Sequence, residues 1–157
     1  MKAFLELCCD LETRTADIYR ELACRESLVR ESRGLFAHLA AEESRHARSL
    51  SEQMSHLRTG AEGISCDRAF PQLLVRRAEE IHALAQAASI SDLKAVSMMK
   101  GTEMRLWDFH LANVLAFQSP ELKELFTLLA QEEREHILLL GKHFMTLTEG
   151  ETPSVAT

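Results

Sequence analysis

The chain has 157 residues, 46% of them hydrophobic and 27% charged, with six Gly and three Pro, a globular balance poor in helix breakers and long enough for one domain with its own core. A net charge of −6 excludes nucleic acid and anionic membrane as principal partners, because phosphate-rich surfaces repel an acidic protein. No stretch approaches the roughly 18 apolar residues of a membrane-spanning helix.

Apolar periodicity predicts an all-α chain of four long helices and one shorter connecting helix within a single domain, 1–157. The first spans 3–26, with a stripe at Leu5, Cys8, Glu12, Thr15, Tyr19 and Leu22 spaced by threes and fours. The second spans 28–58 behind Ser27 as N-cap, with Phe36, Leu39, Glu43, His46, Leu50, Met54 and Leu57 in line and Thr59-Gly60 as its end. Gly34 inside it costs about 1 kcal/mol against Ala. Residues 60–66 read as a loop, and a shorter helix follows from Asp67 or Phe70 to Ala88, with Pro71 tolerable in its first turn. The whole connection, 60–90, is long enough to cross a bundle, so the long helices on either side of it can run parallel. The third long helix, 92–117, is capped by Ser91 and carries Val96, Met99, Glu103, Leu106, His110, Val114 and Phe117 on one face. Ser119-Pro120-Glu121 opens the fourth, 120–147, with Leu122, Phe126, Leu129, Glu133, His136, Leu140, Phe144 and Leu147. The tail from Thr148 is polar and expected to fray.

Two of these helices carry the same words. Residues 39–46 read L-A-A-E-E-S-R-H and residues 129–136 read L-A-Q-E-E-R-E-H, at an offset of 90. Each places a glutamate and a histidine three positions apart, on one side of a helix. Glu12 precedes Glu43 by 31 residues and Glu103 precedes Glu133 by 30, and within each hairpin the paired glutamates lie level, roughly 20 to 23 Å from the connecting turn at about 1.5 Å per residue. An approximate two-fold axis would bring all four to one layer. Four carboxylates buried together repel and lose their hydration, at several kcal/mol per ion. Two divalent cations cancel four carboxylates beside two neutral imidazoles. One Glu from each of two helices, plus Glu-x-x-His from each of the other two, is the ligand set of carboxylate-bridged two-metal bundles. Oxygen and imidazole donors without thiolate suit iron or manganese, with zinc or cobalt as substitutes.

These residues resemble the ferritin-like superfamily and, within it, the rubrerythrin-like domain. The resemblance runs from Leu5 to Leu147 through E-T-R-T-A-D-I-Y at 12–19, E-E-S-R-H, E-M-R-L-W-D-F-H at 103–110 and E-E-R-E-H. It implies a ferritin-like four-helix bundle of two antiparallel hairpins joined by the crossover. It also implies two iron ions held by Glu12, Glu43, His46, Glu103, Glu133 and His136, with one glutamate of each Glu-x-x-His bridging. Tyr19 resembles the family's phenol beside the ligands. Glu42 and Glu132 fall where relatives carry an acid bonded to the opposite histidine; a solvated surface position is the other reading. His143, seven residues past His136, is a weaker candidate for such a supporting contact, and His38, His56 and His82 read as solvated or locally bonded.

Three positions depart from the family. His110 stands where a tyrosine would echo Tyr19, and reads as an added ligand, a supporting donor or a packing residue. Leu106 replaces a further glutamate. The rubredoxin domain and its C-x-x-C pairs are missing; Cys8, Cys9, Cys24 and Cys66 form no such pair and read as reduced thiols. The resemblance implies a non-haem oxidoreductase that reduces hydrogen peroxide or O2 as Fe(II) is oxidised, reset by an external electron donor such as a rubredoxin-like protein and commonly a homodimer. The alternatives are an iron-handling protein, or a structural bundle holding metal without redox turnover. Glu6 and Asp10 interrupt what a secretory signal would need as its apolar stretch, so the expected compartment is the cytoplasm.

Overall fold

The computed structural model describes residues 1–56, 69–86 and 90–150. They form five helices and, among the described residues, no strand: α1 (Lys2–Ala23), α2 (Arg30–His56), α3 (Ala69–Ala85), α4 (Asp92–Ala116) and α5 (Pro120–Gly150). The expected end of the second helix at Thr59-Gly60, the loop 60–66, Cys66, the expected limits of the short helix at Asp67 and Ala88, and the tail 151–157 lie outside the described residues. Among those described, no helix is long and apolar enough to cross a membrane, and Cys9 and Cys24 are free thiols.

The apolar stripes become the core. On α1, Leu5, Cys8, Glu12, Thr15, Tyr19 and Leu22 are all fully buried, and Phe36, Leu39, Glu43, His46 and Leu50 repeat this on α2. Burying one face of each helix against its neighbours supplies most of their stability, because isolated helices of this length are marginal in water. α1 packs along α2, α4 along α5, α3 lies on α1, and α2 meets α5. Phe4, Phe117 and Phe126 pack as a group of rings below the polar layer, with Phe117 and Phe126 edge to face at 4.9 Å.

The helix ends differ from expectation in three places. The first helix stops at Ala23 rather than 26, with the N–H of Cys24 turned onto the carbonyls of Arg20 and Glu21. The second begins at Arg30, so Ser27 is not its cap; Leu28 is only 2% exposed, and burying it draws the connection into a turn closed by Leu28 N–H to the carbonyl of Arg25. The backbone N–H of Val29 then donates to Asp92 Oδ1 at the start of α4, at 3.1 Å. The last helix runs to Gly150, past 147: Phe144 and Leu147 pack against the core and the Thr148 hydroxyl donates to the carbonyl of Met145, so the last turn is held rather than frayed. Ser91 does cap α4, its side chain accepting from the N–H of Lys94 at 3.3 Å.

Candidate metal centre

Midway along α1, α2, α4 and α5 the apolar faces are interrupted by polar side chains. Glu12, Glu43, Glu103, Glu133, His110 and His136 are fully buried and His46 is 1% exposed. They converge into two groups that can hold a metal ion: Glu12, Glu43, His46 and Glu133, and Glu43, Glu103, Glu133 and His136, with the offered ligand atoms of each within 4.8 Å of one another. Glu43 and Glu133 belong to both.

The repeat in sequence reappears as a repeat in geometry. His46 Nδ1 lies 3.5 Å from Glu43 Oε2, 3.5 Å from Glu133 Oε1 and 3.8 Å from Glu12 Oε2. His136 Nδ1 lies 3.0 Å from Glu43 Oε1, 3.6 Å from Glu133 Oε2 and 3.3 Å from Glu103 Oε2. Each shared glutamate therefore turns one oxygen to each imidazole. The two rings face each other nearly parallel, 5.6 Å between centroids.

Around this layer each half reaches across to the other. The Tyr19 hydroxyl on α1 donates to Glu103 Oε1 on α4, while His110 on α4 brings Nε2 to 2.9 Å from Glu12 Oε1 on α1 and 3.6 Å from Glu133 Oε1. Both stand seven residues after the glutamate of their own helix. Glu42 Oε2 accepts from His136 Nε2 at 3.2 Å and Glu132 Oε2 from His46 Nε2 at 2.8 Å. Both outer acids thus hold the opposite histidine instead of being merely solvated. His143 takes no part: its Nε2 bonds the Ser32 hydroxyl at 2.8 Å. Leu106, in place of a further acid, is core. One further participant has little signal in the sequence. Arg45 binds both Glu42 and Glu132, and its signal is the mismatch between the two copies, where Arg45 corresponds to Glu135.

The electrostatics show what the layer asks for. Burial and the Glu133 charge push Glu43 up to about 7, and burial with the Glu133 and Glu43 charges raises Glu103 well above the carboxylate range. Burial would raise Glu12 too, but His110 and His46 outweigh it and hold it at about 2. Glu133 lies well below its usual range because Glu103 and the three imidazoles outweigh its burial. Burial disfavours the imidazolium of His110, yet Glu12 and Glu133 override it and raise this histidine to about 9. Burial disfavours the charged form of His46 and His136 as well, yet Glu12, Glu133 and Glu43 raise the first and Glu103, Glu133 and Glu43 raise the second. Burial, then the Glu103 and Glu43 charges, keep the Tyr19 phenol protonated. The carboxylates thus call for positive charge, and in the protein alone protons on the imidazoles supply it.

Protons satisfy the charge but not the directions. Both oxygens of Glu12, Glu43 and Glu133, Nδ1 of His46 and both nitrogens of His110 are buried with no partner in hydrogen-bond geometry among the described residues. The 2.9 Å between His110 Nε2 and Glu12 Oε1 is short enough for a bond, but the atoms are misaligned for one. Inward-facing oxygens and imidazole nitrogens at ligand spacing, left unsatisfied by one another, fit divalent metal ions of oxygen and nitrogen preference. No family model, curated protein or solved structure matches this chain.

Proposed function

We propose that the protein is a rubrerythrin-like, non-haem di-iron oxidoreductase that reduces hydrogen peroxide or O2, built as a ferritin-like four-helix bundle of the hairpins α1–α2 and α4–α5 joined by a long crossover. The observation that carries this reading is the pair of Glu/His groups sharing Glu43 and Glu133. In it, Glu12, Glu43, His46 and Glu133 would hold one ion and Glu43, Glu103, Glu133 and His136 the other. Bound there, two Fe(II) ions would supply one electron each, the pair that reduces hydrogen peroxide with two protons to two waters.

The chain's own contribution is geometry, dryness and proton placement. The Nε2–H bonds to Glu42 and Glu132 fix each imidazole with Nδ1 inward. Tyr19 keeps its proton on Oη and aims it at Glu103 Oε1, holding that carboxylate's free oxygen toward His136. His110 stands against Glu12 at the corresponding place of the other half. Burial of every donor excludes bulk water, which strengthens each electrostatic contact and limits access to small oxidants. The reductant that resets the pair is external, a rubredoxin-like protein in this reading.

Anaerobic loading with Fe(II) followed by titration with hydrogen peroxide tests the proposal. The expected result is uptake of two Fe(II) per chain and oxidation complete at one peroxide per two Fe(II), faster than for free iron. Tight metal binding with oxidation no faster than free iron would instead establish an inert structural or iron-handling centre.

A further inference from the structure

Arg45 is half-exposed, its side chain 47% accessible, yet it joins the two halves of the buried centre. Its Nη1 donates to Glu42 Oε1 at 2.9 Å, one turn back on α2, and its Nη2 donates to Glu132 Oε1 at 2.8 Å, across on α5. The second oxygen of each carboxylate accepts from an imidazole on the opposite hairpin, Glu42 from His136 and Glu132 from His46. The result is an unbroken chain of charge-assisted bonds: His136, Glu42, Arg45, Glu132, His46. A carboxylate only accepts, so both Nε2 atoms carry the proton, and the Nδ1 atoms facing Glu43 and Glu133 are the nitrogens left for a cation.

This cation is supplied once for two carboxylates. The position equivalent to Arg45 in the second copy is Glu135, which is exposed. Without Arg45, Glu42 and Glu132 would meet as like charges and each could swing to solvent, releasing its imidazole. A guanidinium suits the place because its planar fork presents donors to two carboxylates in fixed geometry, which an ammonium does not.

We propose that Arg45 is the positioning residue of the centre: by clamping Glu42 and Glu132 together it holds both imidazoles with Nδ1 inward, and so sets the two metal positions as one unit. This rests on the metal-centre reading and deepens it. Glu43 and Glu133 couple the positions from inside, and Arg45 couples them from outside.

The experiment compares wild type with Arg45→Ala, Arg45→Glu and the exchange Arg45→Glu/Glu135→Arg, by two readouts. The first needs no metal: in the metal-free protein, imidazole proton–nitrogen NMR should show slowly exchanging Nε2–H signals for both His46 and His136, and Arg45→Ala should lose both to exchange. The second is cobalt(II) binding, followed by visible absorption and calorimetry. Arg45→Ala should weaken both positions together, by up to roughly 100-fold, the effect of losing the outer partners Glu42 and Glu132 that it holds. Arg45→Glu should weaken them further. The exchange should restore binding to within a few-fold, because it places a guanidinium one turn after Glu132, as Arg45 stands after Glu42. Unchanged imidazole signals in Arg45→Ala, loss at only one cobalt position, or failure of the exchange to restore binding would each overturn the proposal. Imidazole signals that respond as expected in a wild-type protein that binds no cobalt would leave Arg45 as the clamp and overturn the metal-centre reading instead.

Discussion

The metal-free protein should lose stability as pH rises, and the metal-loaded protein should not. Glu43 rises from its ordinary 4.5 to about 7 on folding, and His110 from 6.5 to about 9. Both are raised, so the folded state binds more protons than the unfolded state. The stabilisation from Glu43 is full below 4.5 and lost as pH rises through 7; that from His110 is full below 6.5 and lost through 9. At about 1.4 kcal/mol per pH unit, each group removes about 3 kcal/mol between the acid and alkaline ends of that range. Glu12, held at about 2, contributes stability that is present above 4.5 and lost only as pH falls through 2, so it is constant across this window. The loss is comparable to the whole stability of a marginal domain. A divalent ion needs the same donors deprotonated, so its affinity grows as pH rises and offsets what the bare protein loses: the loaded protein gains stability up to about the ordinary histidine value of 6.5 and is flat above it. Urea unfolding at pH 5, 7 and 8.5, followed by circular dichroism with chelator and with excess cobalt(II), measures both slopes. A metal-free protein whose stability is flat or rising across this range would refute the reasoning.

Three further outcomes follow from single contacts. Because Glu133 turns one oxygen to each imidazole while Glu12 belongs to one group, Glu133→Gln should weaken both steps of a cobalt titration and Glu12→Gln chiefly one. Tyr19→Phe removes the donor to Glu103 in a fully buried place and should lower metal-free stability by about 1 to 3 kcal/mol in chemical denaturation. Gly34 lies inside α2 with nothing within 4 Å of where a Cβ would stand; Gly34→Ala should stabilise by about 1 kcal/mol, raising the melting temperature by about 2–4 °C for a chain of this size.

How far the sequence carried depends on the residue. Burial of Glu12, Glu43, Glu103 and Glu133 was legible because each interrupts an apolar stripe of helical period, and a helix that buries the stripe must bury the acid. Convergence followed from matched distances to the turns. Ser27 misled because capping preference is local, whereas Leu28 next to it buries in a core assembled from distant helices. The long reach of α5 is not legible because Thr148 to Gly150 carry no apolar side chain, though helix hydrogen bonds continue from a turn that Phe144 and Leu147 pack against the core. Arg45 escaped because it sits on a hydrophilic face among other charges, and nothing in a single helix shows that Glu132 will stand 2.8 Å away. The packing of α3 on α1 was equally unreadable, since nothing in either helix alone names the other as its neighbour.

The most direct test of the account is anomalous diffraction from crystals loaded anaerobically with Fe(II). Two iron peaks should appear per chain, one beside His46 Nδ1 and one beside His136 Nδ1, both touching Glu43 and Glu133. A chain with no iron between these residues, and with Glu43 and Glu133 bonded only to one another and to protonated histidines, would contradict it.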